Sequence, residues 1–402
     1  MRTLTHLSEP ILYARELSLT AVRTSIYTTL PSQWLFLILS KLPHLETLVL
    51  SCFPFVHAAA LCATNRLPGG HSELRTLLAN DCENSTPAGL CALLPQLPVL
   101  RTLDLSGRTG AGDVDVLRAI AALPHLCTLA LRDLQLDDGA FGALMAALGT
   151  RVHSLDVRNN LLTDAAALRL LDYSFAPPSY APVEQLEDGV GIAHLRIAGN
   201  ALSEAGVVAL VKSTRLAALD VGAPRGAGGS LVPALSMYAH ASLRTLRIAF
   251  RVVAARNGLR RRMLPRLKTL VLTLVPEWGS REEAAGLVEF ISTTRAAEGD
   301  ILEVLELEMA AAGDCEDESL GGVLDGDFSF FDSGNSEEGG SSWTGKGEGP
   351  MARFEILTEI KKVRDGKDGW EGRVRVLRDL GGMESREIGA EGERWGLVRE
   401  GV

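Results

Sequence analysis

The chain is 402 residues long, 46% hydrophobic but only 5% aromatic, with a formal net charge of −10. That balance lacks the basic footprint of a general nucleic-acid binder, and no run of about 18 apolar residues is present to span a bilayer. The six cysteines show no C-x-x-C spacing and no histidines at metal-site intervals, so they read as reduced thiols in core packing, with no metal and no cofactor expected.

The first residues already look like repeat core, with Leu4, Leu7, Ile11 and Leu12 in quick succession. Glu9, Arg15 and Glu16 break any greasy segment a secretory signal would need, and the cysteines, read as reduced thiols, point to a cytoplasmic or nuclear protein. Repeat arrays need a polar cap over their first layer, so either the opening segments form a makeshift cap or an upstream module is expected.

One phrase then recurs. It is loose in ARELSLT from Ala14 and clearer in LETLVLS from Leu45 and LRTLLAND from Leu74. In LRTLDLSG, LCTLALRD and VHSLDVRNNLL the central leucines Leu103, Leu129 and Leu155 fall 26 residues apart. Further copies begin at Ile192, Leu216, Leu243, Leu267 and Leu302, about ten strands in all. In each, the last two leucines lie two apart and face one side of a short strand, while the residues beside them face the other.

The segments between strands, such as Asp137 to Gly149 and Ser203 to Ser213, carry apolar residues at helical spacing behind Asp or Ser caps. Pro43, Pro98, Pro124 and Pro265 stand in KLPHL, QLPVL, ALPHL and MLPRL, where they stop a helix at a set distance before the next strand. Asn160 and Asn200 fall five residues past Leu155 and Leu195, where a side-chain amide can satisfy the backbone of the loop leaving the strand. Cys82 sits at the same distance from Leu77, whereas Arg108 and Leu134 occupy that position elsewhere and predict irregular loops.

The pattern L-x-x-L-x-L-x-x-N/C-x-L, met by Val152 to Leu162 and Ile192 to Leu202, resembles the leucine-rich repeat. The period and the helical second halves are similar to the ribonuclease-inhibitor-like class, over roughly Leu12 to Glu308. The resemblance implies an α/β leucine-rich repeat solenoid, with a curved parallel sheet on the concave face and helices on the convex face. The stretch LPSQWLFLILSKLPHL from Leu30 also resembles the opening of an F-box, but it runs into the next strand at ordinary spacing and reads equally as a repeat helix.

The organisation expected is a solenoid over 1–310 with an inserted loop at 172–190, an acidic Gly/Ser-rich disordered segment at 311–350, and a capping repeat with tail at 351–402. The insertion carries Tyr173, Phe175 and Tyr180 among three prolines, as either a bulge or a binding finger. In the last part FEILTEIKKV reads as helix and GRVRVL as strand. The segment from Arg244 to Lys268 holds nine Lys or Arg and no acid, either an anionic-partner or import patch or a solvated face.

Parallel strands align equivalent outward residues in rows. One row brings Asp104, Asp156, Arg196, Asp220 and Arg247 to the inner surface, and the next brings Arg132 and Arg158. These seven are the candidate partner-binding residues, although adjacent opposite charges can also simply pair with one another. No nucleophile elbow, zinc-protease motif or phosphate loop is present, so no catalytic residue is expected. The function implied is that of a non-catalytic, monomeric protein-interaction scaffold. The alternatives are substrate adaptor of an SCF-type ubiquitin ligase, with a ligase scaffold as partner, and regulator of a small GTPase.

Overall fold

The computed structural model describes residues 14–19, 34–51, 73–82, 85–107, 110–175, 190–212, 216–226, 229–255, 257–276, 278–279, 281–292, 302–310, 354–358, 360, 373–378, 384–388 and 397–398. Strand β1 is Glu16–Ser18. It is followed by α1 (Trp34–Lys41), β2 (Thr47–Val49), β3 (Thr76–Leu78), α2 (Pro87–Leu93), β4 (Thr102–Asp104), α3 (Val114–Ala121), β5 (Thr128–Ala130), α4 (Asp138–Leu148), β6 (Ser154–Asp156) and α5 (Asp164–Tyr173). The chain continues through β7 (His194–Arg196), α6 (Glu204–Val211), β8 (Ala218–Gly222), α7 (Leu231–Ala234), β9 (Thr245–Ala249), α8 (Phe250–Ala254), β10 (Thr269–Val275), β11 (Trp278–Gly279) and α9 (Arg281–Ser292). Then come β12 (Val304–Met309), β13 (Phe354–Glu355), β14 (Arg373–Arg378), β15 (Glu384–Ile388) and β16 (Leu397–Val398).

Among the described residues, β1 to β10, β12 and β14 pair in chain order as twelve parallel strands, and β15 and β16 extend the sheet antiparallel. The repeat phrases account for eleven of the twelve, and GRVRVL supplies the last as β14. The register keeps leucine on leucine: Leu17, Leu48, Leu77, Leu103, Leu129 and Leu155 are successive partners. Leu195, Leu219, Leu246, Leu270 and Leu305 follow in the same line. A one-residue slip would turn this apolar file towards water, so the leucines themselves fix the pairing.

Helices pack beside helices on the other side of the leucines. Packed helices need about 8–10 Å each and paired strands about 4.8 Å, so the sheet takes the inside of the curve. The architecture is an α/β leucine-rich repeat solenoid.

Local chemistry sets each repeat. Thr86, Asp113, Asp137, Thr163 and Ser203 are N-caps whose side chains accept from backbone amides of the first helical turn. Pro43, Pro98, Pro124 and Pro265 each lie four residues before the strand they precede, and Leu42, Leu97, Leu123 and Leu264 ahead of them are buried. Trp34, Leu35, Ile38 and Leu39 of α1 are buried, so the F-box-like stretch serves as a repeat helix with its apolar face in the core.

After the strand, Asn160 Oδ1 accepts from Leu134 and Leu136 N, and its Nδ2 donates to Leu131 and Val157 O. Asn200 repeats this one layer on, accepting from Asn160 and Leu162 N and donating to Val157 and Ile197 O. Cys82, a buried thiol, donates to Leu50 O at 3.2 Å. The residue before this position is left-handed in five consecutive repeats: Asp81, Gly107, Asp133, Asn159 and Gly199 have φ between 54° and 79°. Gln135 is left-handed too, so the loop that lacks its own Asn at Leu134 is irregular as expected.

The insertion leaves the register untouched because its two ends meet, with Ile192 N donating to Ser174 O at 3.1 Å. Tyr173 closes α5 and Phe175 is buried. Tyr180, the acidic stretch at 311–350 and the first leucines lie outside the described residues. FEILTEIKKV opens differently from its expected helix, as strand β13 paired antiparallel with β11, and is helical only from Ile356.

Candidate functional site

The rows predicted from the repeat are present. Asp104, Ala130, Asp156, Arg196, Asp220 and Arg247 are successive register partners across the inner face, with Arg132 and Arg158 two residues past Ala130 and Asp156. All seven candidates belong to one ion network. Asp156 is its hub: Arg158 meets it through Nε at 3.0 Å and Nη2 at 2.9 Å, Arg196 approaches at 3.7 Å, and Arg132 at 3.8 Å. Arg132 also reaches Asp104 at 3.5 Å, and its backbone N and Nε donate to Ser106 Oγ.

Arg158 passes over β7 to Asp220 at 3.7 Å, and Asp220 takes Arg247 Nη1 at 2.9 Å. Arg247 then crosses β10 and grips Glu308 with two bonds, Nε at 2.9 Å and Nη2 at 2.6 Å. Lying under that bridge, Val271 and Thr273 are only 7% and 6% exposed although they face outward. Four arginines and four acids make the network neutral.

Its groups are partly desolvated. Burial pushes the Asp220 carboxyl above its ordinary value, against the pull of Arg247 and Arg158. Burial works against the charge on Arg158 too, yet its bonds to Asp156 and the nearby Asp220 hold it above its ordinary value. Arg247 is raised in the same way by Glu308 and Asp220. A charge-assisted lattice of this kind holds its side chains in place.

Arg196 stands apart, its side chain 61% exposed. Beside it, the rings of His194 and His153 lie 5.2 Å apart. Sequence reasoning missed Glu308, because a residue two strands away and two positions off the row is not suggested by adjacency. It also grouped Arg260 and Arg261 with a surface patch. Arg261 is 4% exposed and bonds Leu264 O, and Arg260 pairs with Glu289 at 3.2 Å. The cation run is therefore partly spent inside the fold.

Among the described residues, no group of three or more His, Cys, Asp or Glu is placed to hold a metal, and no helix is long and apolar enough to cross a membrane. Fold and surface together define a leucine-rich repeat solenoid with a neutral, half-buried ion lattice along its inner sheet. No family model matches the chain, and no curated protein matches it. Among solved structures, the Rad7 and Elc1 complex in yeast contains a similar chain, at 15% identity over 69% of this chain and 67% of that one, with a TM-score of 0.47.

Proposed function

We propose that the protein is a non-catalytic recognition scaffold, of the ribonuclease-inhibitor-like leucine-rich repeat kind, that takes a protein partner on the inner face of its sheet. The supporting observation is the ion lattice itself. Asp104, Arg132, Asp156, Arg158, Arg196, Asp220 and Arg247 form a pre-ordered polar surface on rigid strands, and pre-ordered side chains lose little entropy on binding. Arg196, exposed and loosely held, is the residue freest to reach a partner.

The lattice decides how the surface is tested. Reversing Arg158 would set a carboxylate against Asp156 and Asp220 and disturb the fold, so substitutions belong on Arg196, the exposed and loosely held member of the lattice, and on outward residues beside it. A triple variant, Arg196→Glu with Thr128→Trp and Thr245→Trp, blocks the face at β5, β7 and β9. It loses capture of the native partner from cell extract at least tenfold with unchanged thermal unfolding, whereas Met237→Glu on the helical side, where Met237 is 64% exposed, keeps it. Undiminished capture by the triple variant removes this face from consideration. Scoring the captured protein as a ubiquitin-ligase scaffold or a small GTPase separates adaptor from regulator.

A further inference from the structure

The row of residues just ahead of the strands has a charge character opposite to that of the chain. Its members are tied strand to strand by backbone bonds, as where Arg101 N donates to Arg75 O at 2.8 Å. Two of its cations are matched within the row or its ends: Arg15 by Glu46 at 3.2 Å and Lys268 by Glu303 at 2.7 Å. The other three, Arg75, Arg101 and Arg244, are exposed and have no side-chain partner among the described residues. Glu73, close to Arg75 in the same shallow cleft, is engaged by His44 at 3.1 Å.

Between β3 and β9 the acids of the inner face, Asp104, Asp156 and Asp220, are all held by arginine. At this border Arg75, Arg101 and Arg244 are left unmatched, with the loosely held Arg196 further across the face, in a chain of net charge −10, while the exposed acids Asp81 and Asp133 stand at the opposite, strand-exit edge. Next to the row, the register lines up the hydroxyls of Thr76, Thr102, Thr128 and Ser154 as further donors.

We infer that this border binds an extended acidic peptide lying across the strands, an inference that rests on the inner-face reading above. Six strand steps separate Arg75 from Arg244, about 29 Å at ~4.8 Å each, the length of eight or nine residues of extended chain. A single small anion cannot span that distance, but carboxylates spaced along a peptide can. Single-stranded nucleic acid would call for aromatic stacking platforms, and the inner-face rows from β3 to β9 hold no Phe, Tyr or Trp.

The test is fluorescence anisotropy on the full chain with a labelled peptide of about nine residues alternating Glu and Ser, its Gln-for-Glu counterpart, and a labelled oligouridine. The Glu peptide binds about tenfold more tightly than the Gln peptide, as expected for several screened charge contacts. Arg75→Glu/Arg101→Glu/Arg244→Glu removes that preference, and so does the milder triple Gln variant, which keeps the fold measurable. Triple Lys retains it, and Arg118→Glu on the helical face changes nothing.

Equal affinity for Glu and Gln peptides, equal loss from Arg118→Glu, or tighter binding of oligouridine overturns the proposal. Partner capture by the triple variant of the preceding section is read in parallel. If capture depends on the inner face while the Glu peptide shows no preference, the acidic class falls and inner-face recognition stands. If neither holds, both fall.

Discussion

Replacing Asn160 by alanine tests the logic of the repeat directly. The side chain is 5% exposed and makes four well-formed bonds to backbone, at 3.1 Å and 3.0 Å as acceptor from Leu134 and Leu136, and at 2.8 Å and 3.0 Å as donor to Leu131 and Val157. At about 1 kcal/mol net per bond, Asn160→Ala costs roughly 4 kcal/mol, and about 2 kcal/mol if water fills the vacated space and meets half of the groups. Urea unfolding should show this as a lower midpoint at unchanged slope. Hydrogen exchange gives the local readout, since the Leu134 and Leu136 amides lose the acceptor they share and must exchange faster. A loss below about 1 kcal/mol with both amides still protected would refute the claim that this amide holds two layers together.

Arg247→Ala removes the bridge over β10, exposes Val271 and Thr273, takes the arginine from Glu308 and leaves Asp220 with Arg158 at 3.7 Å. Because the Arg247 side chain is 25% exposed, the expected loss is about 2 kcal/mol, below the range for a fully buried pair. A urea midpoint within error of wild type would mean that the lattice contributes nothing to stability. For His194, burial first and then His153 and Arg196 hold the imidazole below its ordinary value. The unfolded chain therefore binds more protons just below about pH 6.5, and stability falls as the pH drops through that window. His194→Gln should flatten the decline between about pH 7.5 and about pH 5.5, and identical declines in the two proteins would show that the ring does not feel these neighbours.

The shape of the molecule was legible because one residue type repeats at one period. Leucine spacing determined the register, the prolines marked where helices stop, and Asn160 and Asn200 announced their own bonds. The left-handed residue ahead of each loop was equally present in the letters, as Asp81, Gly107, Asp133, Asn159 and Gly199, types that tolerate positive φ. It stands four residues past the central leucine in every one of these repeats, in a column that carries three residue types and so shows no single recurring letter.

The candidate site was half legible. Rows of charge follow from the period, but which charge meets which depends on long side chains crossing a whole strand, as Arg158 and Arg247 do. No sequence adjacency encodes those crossings. In the same way, three consecutive arginines look alike in sequence, and only packing turns Arg261 inward while Arg262 stays exposed.

The loops and the helix starts share a further arrangement. Asn160 and Asn200 serve the layer before their own. Asp138 accepts from Thr163 N and Oγ1, the cap of the next helix, and Asp164 does the same for Ser203. One set of bonds thus reaches backward at the strand exit while the other reaches forward at the helix entry. Each junction from β5 to β7 is braced like a truss with crossed diagonals, so neither layer can lift off without tearing a bond owned by the other. The span between helix end and next strand is tied as well, by Arg151 donating to Ala121 and Leu123 O and by Gly191 N donating to Thr150 O, and it is there, after α5, that the chain carries its extra length without disturbing the frame.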